Sequence, residues 1–346
     1  MRITTLIKKE FTEIWRDGRF MTLAVVISLL FVSALVVSWN YYQNLRQQHD
    51  TAQQVARHQW ENQEAKNPHG AAHYGTYAFK PIYALSLIDN GLDKFLGNAL
   101  FLEAHKQNFD RFKAIEDQNS LARFGELSPA FVLIYLLPLL IILVSFGSVS
   151  VEKERGMWPL MLSQGVAARQ IVWGKVLGIG AVLGSLLLPF FLAGLLFLAI
   201  STGTEAEDFT RYGLICLSLL MYYAIFVNIS VFISGRVQKS GTALVGLLAF
   251  WIVSILLIPR ISVHVAEYLY PVPSLGAYQS ALKEDLEKGV DGHNPFNEYS
   301  QQLETQTLKK YGVDSVQHLP FNWWGFVMQK GEEHERAVYD KHVNQL

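Results

Sequence analysis

Five long stretches of the 346-residue chain contain no charged side chain. Each is about 20 residues or longer, which is the length that a helix needs to cross the hydrocarbon core of a bilayer. A spanning segment must be helical there, because lipid offers no hydrogen bonds to an open backbone. Five such runs argue against the alternative, the buried helices of one large soluble core. The pattern predicts spans at Phe20–Leu45, Leu127–Val151, Val176–Thr204, Tyr212–Gly235 and Ser240–Pro259.

Two long segments of ordinary mixed composition lie outside these runs, at residues 46–128 and 260–346. Helices are predicted for much of both, including "GLDKFLGNALFLEAHKQNFDRFKAIEDQNSLARF" in the first and "QKGEEHERAVYDKHVNQL" in the second. Turn signals such as "NPHG" and "VDGHNPFN" divide them. The expected fold class is an all-α polytopic membrane protein with two mostly helical domains outside the bilayer.

Lysine and arginine alternate between the two sides of such a chain. They cluster before span one, between spans two and three, and between spans four and five, whereas the connection "EAEDFTR" between spans three and four is acidic. Because Lys and Arg favour the cytoplasmic side, we expect a cytoplasmic N-terminus in a bacterial inner membrane, with both large segments outside. The basic residues are Arg2, Lys8, Lys9, Arg16, Arg19, Lys153, Arg155, Arg169, Lys175, Arg236 and Lys239.

The first 19 residues have the pattern of an amphipathic helix. Apolar residues recur at helical spacing on one side, and charged residues occupy the other. Such a helix is expected to lie in the membrane interface, and the alternative is a helix packed on a soluble domain. The apolar residues are Ile3, Leu6, Ile7, Phe11, Ile14 and Trp15, and the charged ones are Lys8, Lys9, Glu13 and Arg16.

Composition limits the possible functions. Hydrophobic residues make up 51% of the chain and charged residues 17%, which fits several spans combined with domains outside the bilayer. A net charge of −1 gives no reason to expect a nucleic-acid partner. The single cysteine, Cys216, lies in an apolar run and supports no disulfide framework. Catalytic residues and a metal site are not expected.

Residues 152–168 form a short amphipathic segment that joins span two to the lead-in of span three, which begins at residue 169. Four charged residues are predicted to start a helix, an apolar patch follows, and "SQGVAAR" ends the helix. A helix of this kind suits a groove on a partner protein, but composition alone leaves an ordinary charged loop equally open. The charged residues are Glu152, Lys153, Glu154 and Arg155, and the patch is Trp158, Leu160, Met161 and Leu162.

The stretch "VEKERGMWPLMLSQGVAARQIVWGKVLG" closely resembles the signature of type-2 ABC permeases, in which E-x-E-x-G-T-x-x-x-L-L-S-x-P-x-S-R precedes an apolar G-K-x-L-G. Met157 replaces the usual Thr, and Val166 replaces the usual Pro. The amphipathic N-terminal helix fits the elbow helix of that family, and the resemblance covers all five spans. The matching residues are Glu152, Glu154, Gly156, Leu162, Ser163, Arg169, Gly174, Lys175 and Gly178.

The resemblance implies that residues 152–168 are the coupling helix, which docks on a separate ATPase subunit. The chain has no G-x-x-x-x-G-K-[ST], so it lacks the loop that cradles nucleotide phosphates. ATP and Mg²⁺ are therefore expected on the partner ATPase, with no cofactor in this chain. A second permease protomer, identical or homologous, is also implied. The residues expected to couple to the ATPase are Glu152, Glu154, Arg155, Gly156, Trp158, Leu162, Ser163 and Arg169.

Two further stretches, "HYGTYAFKPIYALSLIDNGLDKFLGNALFLEAHKQN" and "KKYGVDSVQHLPFNWWGFVM", look like the external segments of one permease subfamily. That subfamily is broadly grouped with the permeases of copper-enzyme maturation. The grouping by itself implies no copper role for this chain.

Several residues inside the predicted spans suggest helix packing. Two G-x-x-x-G pairs in span three permit close approach either by another span of the same chain, which we favour, or by a second permease. Pro138 and Pro189 are expected to kink their spans. Asn228 is expected to bond to a neighbouring helix rather than to a substrate. The two glycine pairs are Gly174 with Gly178 and Gly180 with Gly184.

Two polar or aromatic clusters lie outside the spans. His69 and His73 would share a face of a helix and could then bind a metal ion, but neighbouring Pro and Gly residues favour a loop there. The "NWW" sequence at Asn322–Trp324 is expected to form part of a core, with a binding surface as the alternative.

These patterns predict the permease subunit of an ATP-driven exporter. A mechanotransmitter is the alternative, in which the same motor rearranges the outer domains and acts on a periplasmic protein without moving a substrate. A membrane-anchored enzyme is a third possibility, but no catalytic grouping supports it. Because type-2 permeases usually have six spans, a sixth span is expected after Leu346, and the alternative is a five-span variant in which a partner supplies the missing helix.

Overall fold

The computed structural model describes residues 2–344 apart from residues 94, 105–107, 109, 114–126, 202 and 295. The chain divides into two compact units, Met1–Pro259 and Arg260–Leu346. The first unit contains the helical bundle and the insertion between spans one and two, and the second consists of the C-terminal helices.

Among the described residues, five helical segments are long and apolar enough to cross a membrane. Each overlaps one of the five predicted runs over nearly all of its length, so the prediction of an all-α polytopic membrane protein is confirmed. Spans one to five are Gly18–Glu61, Pro129–Glu154, Ala168–Ile200, Ala206–Arg236 and Ser240–Leu269.

Helix α1, Ile3–Arg16, is separated from α2, Gly18–Glu61, by one residue. Asp17 has extended backbone angles, and its carboxylate caps α2 by accepting a hydrogen bond from Arg19 N at 2.9 Å. At 44 residues, α2 is about 66 Å long, roughly twice the thickness of a hydrocarbon core. Span one therefore continues as the same helix far into the insertion that follows it.

The core of the first unit lies between the five spans. It is built from buried aliphatic and aromatic side chains, and the rings of Phe31 and Phe190 stack with centroids 4.2 Å apart. Ile14 of α1 joins the same cluster, so the N-terminal helix packs on the bundle. The third and fourth spans are α8, Ala168–Ile200, and α9, Ala206–Arg236.

Spans two and five each contain a π-helical turn. Span two consists of a short α4, Pro129–Phe131, the π turn Val132–Leu136 and α5, Leu137–Ser145. Span five consists of α10, the π turn Ile252–Leu257 and α11. The bounds of the last two helices are Ser240–Trp251 and Ile258–Leu269.

Pro138 explains the bonding around the first π turn. It has no N–H to donate to the carbonyl four or five residues earlier, and side chains of span four replace that donor. The hydroxyl of Tyr222 donates to Ile134 O at 3.0 Å, and the hydroxyl of Tyr223 donates to Leu133 O at 2.9 Å. The disturbance expected at Pro138 thus takes the form of a π turn whose carbonyls are satisfied by tyrosines. Pro189, by contrast, lies inside an unbroken α8.

The insertion between spans one and two contains a small sheet. Helix α3, Pro68–Tyr74, precedes an antiparallel sheet of three strands in the order β1-β2-β3. Tyr77 pairs with Phe101 across the first two strands, and their rings lie 5.0 Å apart. The strands are β1, Thr76–Phe79, β2, Gly97–Leu102, and β3, Asp110–Lys113.

The long helix predicted from "GLDKFLGNALFLEAHKQNFDRFKAIEDQNSLARF" is therefore wrong for residues 97–102 and 110–113, which are strands. The apolar residues of "GNALFL" contact partners on neighbouring strands, and cross-strand packing overrides a weak helical preference. The end of the predicted helix, residues 114–126, lies outside the described residues.

The second unit is helical, as predicted. Helices α12, Leu275–Glu287, and α13, Glu298–Tyr311, precede α14, Trp323–Val343. Trp323 is buried at the centre of the local core, whereas Trp324 is exposed, so one ring of the "NWW" sequence forms the expected core cluster. Asp285 accepts hydrogen bonds from Lys341 at 2.6 Å and from His342 at 3.0 Å, which joins α12 to α14.

Candidate functional site

Three parts of the first unit meet at one end of the bundle: α1, the start of α8, and the segment that leaves span two. We call this region, residues 2–19, 149–175 and 234–240, the basic end, because it holds the lysines and arginines of the short segments. The stretch with the permease signature lies here.

Lys175 is the centre of a buried ion cluster at the basic end. Its Nζ donates to Glu10 Oε2 at 3.0 Å and to Glu152 Oε1 at 2.9 Å. Lys9 donates to the same Glu152 oxygen at 3.3 Å from the partly exposed side. Since Glu10 belongs to α1, Glu152 lies at the end of span two and Lys175 belongs to span three, the cluster joins three elements that are distant in sequence.

The cluster is balanced in charge but buried. Two lysines and two glutamates give no formal net charge, which is the condition for burying ions without a prohibitive desolvation penalty. Burial raises the pKa of Glu10 above its ordinary value, against the opposing effect of Lys175. Burial acts to lower the pKa of Lys9, but the carboxylates of Glu152 and Glu13 outweigh it and the pKa is raised. Loss of one member would leave the others as uncompensated buried charges.

Two glycines of α8 allow α1 to approach closely. A Cβ added at Gly174 would lie 2.6 Å from Leu6 Cβ, and one added at Gly178 would lie 2.6 Å from Glu10 Cβ. Both distances are shorter than side-chain carbons tolerate, so any larger residue would separate the helices. The first G-x-x-x-G pair is thus used within the chain, against α1, which places Glu10 beside Lys175.

The second pair, Gly180 and Gly184, lies elsewhere on α8. A Cβ at either position would meet no atom within 4 Å. These two glycines therefore do not hold the described helices of this chain together.

The last residues of span two are also bonded to spans four and five. Lys153 Nζ donates to the carbonyl of Gly235 near the end of α9. The Glu154 carboxylate accepts from Ser240 N at 2.8 Å and from Ser240 Oγ at 3.0 Å, at the first turn of α10. Three successive residues, starting with Glu152, thus reach spans three, four and five in turn.

Ser234 of α9 anchors the start of this segment. Its Oγ is buried and accepts hydrogen bonds from the backbone N–H groups of Val149 and Ser150, both at 3.0 Å. These N–H groups precede and begin the short helix α6, Ser150–Glu154. The end of span two and the end of span four are therefore fixed to each other.

Gly156 divides the charged segment into two helices. Its φ of +70° lies in the left-handed region, which favours glycine. Helix α6 ends before it, and α7, Met157–Ser163, begins after it. The single helix predicted to start at Glu152 is therefore wrong: the charged residues end one helix, and the apolar patch forms the next.

Helix α7 has apolar residues on two sides. Trp158 and Met161 are partly buried and pack on the cluster of Leu6, Val166 and Ile171, which connects α7 to α1 and α8. Leu160 is 57% exposed on the outer side, whereas Leu162 is 40% exposed and, two positions further along the helix, projects in a different direction. The basic end therefore presents two exposed leucines, which we call the α7 ridge, on a helix whose Trp158 and Met161 pack against α1 and α8.

The structure separates the residues that the signature predicted to couple to the ATPase. Glu152 is buried in the ion cluster, and Glu154 caps span five. The remaining six are exposed or half-buried at the surface of the basic end: Arg155, Gly156, Trp158, Leu162, Ser163 and Arg169.

The buried partnership of Glu10 with Lys175 was not predicted from the sequence. The sequence identifies Lys175 only as part of the signature and as a basic residue. A signal was present in α1, because Glu10 lies four residues from Leu6 and four from Ile14, and all three are buried. A carboxylate on the apolar stripe of a helix indicates a buried partner.

Two predictions outside the basic end need correction. His69 and His73 lie on helix α3 rather than in a loop, and their Nε2 atoms are 3.1 Å apart. Asn228 does not make the expected bond to another helix, because its amide donates to Ala224 O of its own helix at 2.7 Å.

Two known families match parts of this chain. Residues 4–310 match the family described as ABC-2 family transporter protein, a range that includes all five spans and the basic end. Residues 277–346 match a domain of unknown function, DUF3526. No curated protein matches the chain. The chain therefore belongs to the ABC-2 family of transporter proteins and is a multi-pass membrane permease of an ABC transporter.

Proposed function

We propose that this chain is the permease of an ATP-driven exporter and that a separate ATPase subunit drives it through α7. One observation carries the proposal: the exposed ridge of α7 directly follows a segment whose residues are bonded to α1 and to spans three, four and five. A displacement of α7 would thus reach the ends of several spans together.

The orientation of this arrangement follows from charge. The basic end lies in the cytoplasm, in accord with the enrichment of Lys and Arg on that side of bacterial inner membranes. The insertion between spans one and two and the second unit lie outside. ATP and Mg²⁺ bind to the partner ATPase, because this chain has no phosphate-cradling loop.

Two permease protomers, identical or homologous, act with two ATPase subunits. Closure of the ATPases on ATP stabilises one arrangement of the α7 helices, and hydrolysis releases it. Such a cycle shifts the population between two arrangements of the spans only to the extent that the ATPases bind them differently. The contacts of Glu152, Lys153 and Glu154 connect the position of α7 to the arrangement of the spans.

Aspartates in the α7 ridge test the proposal. Leu160→Asp combined with Leu162→Asp would place two charges in an apolar contact, and we expect at least about a tenfold loss of co-purified ATPase. Leu275→Asp is the matched control, since Leu275 is as exposed as Leu160 but lies in the second unit. Co-purified ATPase and ATP hydrolysis are measured for permease that elutes as wild type. Equal ATPase recovery from the ridge variant and the control would show that α7 is not the contact.

A mechanotransmitter is the second candidate, and the length of α2 favours it. The helix runs unbroken for 44 residues from the membrane into the insertion, so a tilt of span one would move the outer part directly. The two functions differ in a measurable way. An exporter moves a substrate across sealed proteoliposomes, whereas a mechanotransmitter hydrolyses ATP in response to a periplasmic protein without such transport.

A further inference from the structure

A groove in the insertion lies between the outer part of α2 and the face of strand β1. Its volume is about 670 Å³, within the usual range of small-molecule sites. A smaller cavity of about 280 Å³ adjoins it and shares Gln48, Ala52 and Phe79 as lining residues. Both cavities lie wholly within the first unit.

The lining of the groove is uncharged. Its floor is apolar and aromatic, and side-chain amides and the hydroxyl of Thr51 surround the floor. A charged ligand would lose its hydration here without gaining a counter-ion, which is strongly unfavourable. The floor is Ala52, Val55, Ala56, Tyr77 and Phe79, and the polar residues are Asn44, Gln47, Gln48, Thr51 and Gln59.

The smaller cavity contains an unsatisfied polar atom. His49 Nε2 is buried and makes no hydrogen bond with any described group, while His49 Nδ1 faces Asp50. The one lysine in this lining, Lys80, is already paired with Asp93 at 2.5 Å. Since buried polar atoms in proteins are nearly always bonded, a neutral ligand group that bonds to His49 fits this end.

The groove begins at the end of the uncharged run of span one. Asn44 lines it, and the uncharged run of span one ends at the adjacent Leu45. A molecule whose apolar part lies in the neighbouring leaflet would reach the groove along the side of α2 that carries Asn44.

We propose that this groove binds an uncharged amphiphile, taken from the adjacent bilayer leaflet. Its apolar chain packs on Ala52, Val55 and Phe79, and its hydroxyl or amide groups bond to the surrounding side-chain amides. The inference does not depend on the proposed export function, because binding is measured without the ATPase.

Photolabelling of the full chain in phosphatidylcholine nanodiscs tests the proposal. The probe is a monoacylglycerol with a diazirine in its chain, and the comparison probe carries the same chain with a phosphate on the headgroup. We expect the neutral probe to label peptides that contain residues 44–59 or 76–79, with at least about tenfold less label from the phosphate probe. Unlabelled monoacylglycerol should compete with the neutral probe.

Ala52→Trp is the variant that fills the groove, because Ala52 lines both cavities. It should reduce the labelling of these peptides at least about tenfold, whereas Gln54→Trp, on the same helix but outside both linings, should leave it unchanged. If Ala52→Trp does not fold, Val55→Trp replaces it. The proposal would be overturned by unchanged labelling in the filled variant or by equal labelling with the phosphate probe. It would also be overturned if Val55→Cys formed a disulfide between two copies that blocks labelling, because the groove would then be an interface between copies of this chain.

Discussion

Lys175 Nζ lies 3.0 Å from Glu10 Oε2, although 165 positions separate the two residues in the sequence. The contact is buried, and Gly174 and Gly178 on α8 make room for α1 beside it. Through Glu152, the same lysine also reaches the segment that leads to α7. The N-terminal helix is therefore part of the structure that positions the proposed ATPase contact.

Removal of Lys175 should destabilise the permease strongly. Lys175→Met leaves Glu10 and Glu152 as buried carboxylates without their main cation, and breaking a buried ion pair costs about 3–5 kcal/mol. Thermal unfolding in detergent measures the loss. Lys239→Met is the control, because Lys239 is exposed and should change stability little. Equal unfolding temperatures for the two variants would contradict the ion cluster.

Neutralising the carboxylates should restore much of that stability. Lys175→Met combined with Glu10→Gln and Glu152→Gln contains no unpaired buried ion, and such replacements are often tolerated. The triple variant should unfold at a higher temperature than Lys175→Met alone. If the triple variant is less stable than Lys175→Met, the stability that Lys175→Met loses is due to the shape of the methionine and not to the unpaired charges.

Tyr223 should stabilise the π turn of span two. Tyr223→Phe removes the hydroxyl that bonds to Leu133 O, and the carbonyl is then left without a donor in a buried site. Such a loss costs about 1–3 kcal/mol. Tyr268→Phe serves as the control, because this tyrosine is 86% exposed. Unchanged thermal stability of Tyr223→Phe would show that the carbonyl finds another donor.

The orientation can be tested with single cysteines in a Cys216→Ser background. The two positions are Gln164, which follows α7 at the basic end, and Asn297, which is the N-cap residue of α13 in the second unit. An impermeant maleimide added to intact cells with a permeable outer membrane should label position 297 but not position 164. Labelling of position 164 from outside would reverse the assignment of the basic end to the cytoplasm.

The second unit should lose stability in acid through Asp285. The hydrogen bonds from Lys341 and His342 hold the pKa of this carboxyl well below its ordinary value of 3.8. Because the folded-state pKa is the lower one, this stabilisation is present above pH 3.8 and is lost as the pH falls through the folded pKa.

Asp285→Asn should therefore unfold at a lower temperature than wild type at neutral pH, and the difference should shrink as the pH falls below 3.8. Circular dichroism of the full chain follows the transition, with the exposed Glu298→Gln as the control. A difference that grows with acid would have the wrong sign for this contact.

The spans were predictable from sequence because their signal is local. An uncharged run of about 20 residues needs no knowledge of its neighbours, and the structure confirms all five runs. The strands were missed for the opposite reason: Phe101 and Leu100 of "GNALFL" gain their stability from Tyr77 and Ala78, more than 20 positions away.

The stretch that forms the candidate site is recognisable from the sequence, but its contacts are not. The permease signature identified residues 152–168, yet the sequence alone gave no sign that Glu154 caps span five through Ser240. The division into two helices depends on one backbone angle at Gly156. Such contacts between distant segments are set by the packed bundle, which local patterns do not encode.

A photo-crosslinking amino acid at position 160 tests the central claim most directly. Leu160 points outward from α7, so its replacement in the complete transporter should crosslink to a polypeptide that carries the ATPase nucleotide-binding motif. The same amino acid at position 275, equally exposed in the second unit, should give no such product. A crosslink to the ATPase from position 275, or none from position 160 in a transporter that hydrolyses ATP, would contradict the account.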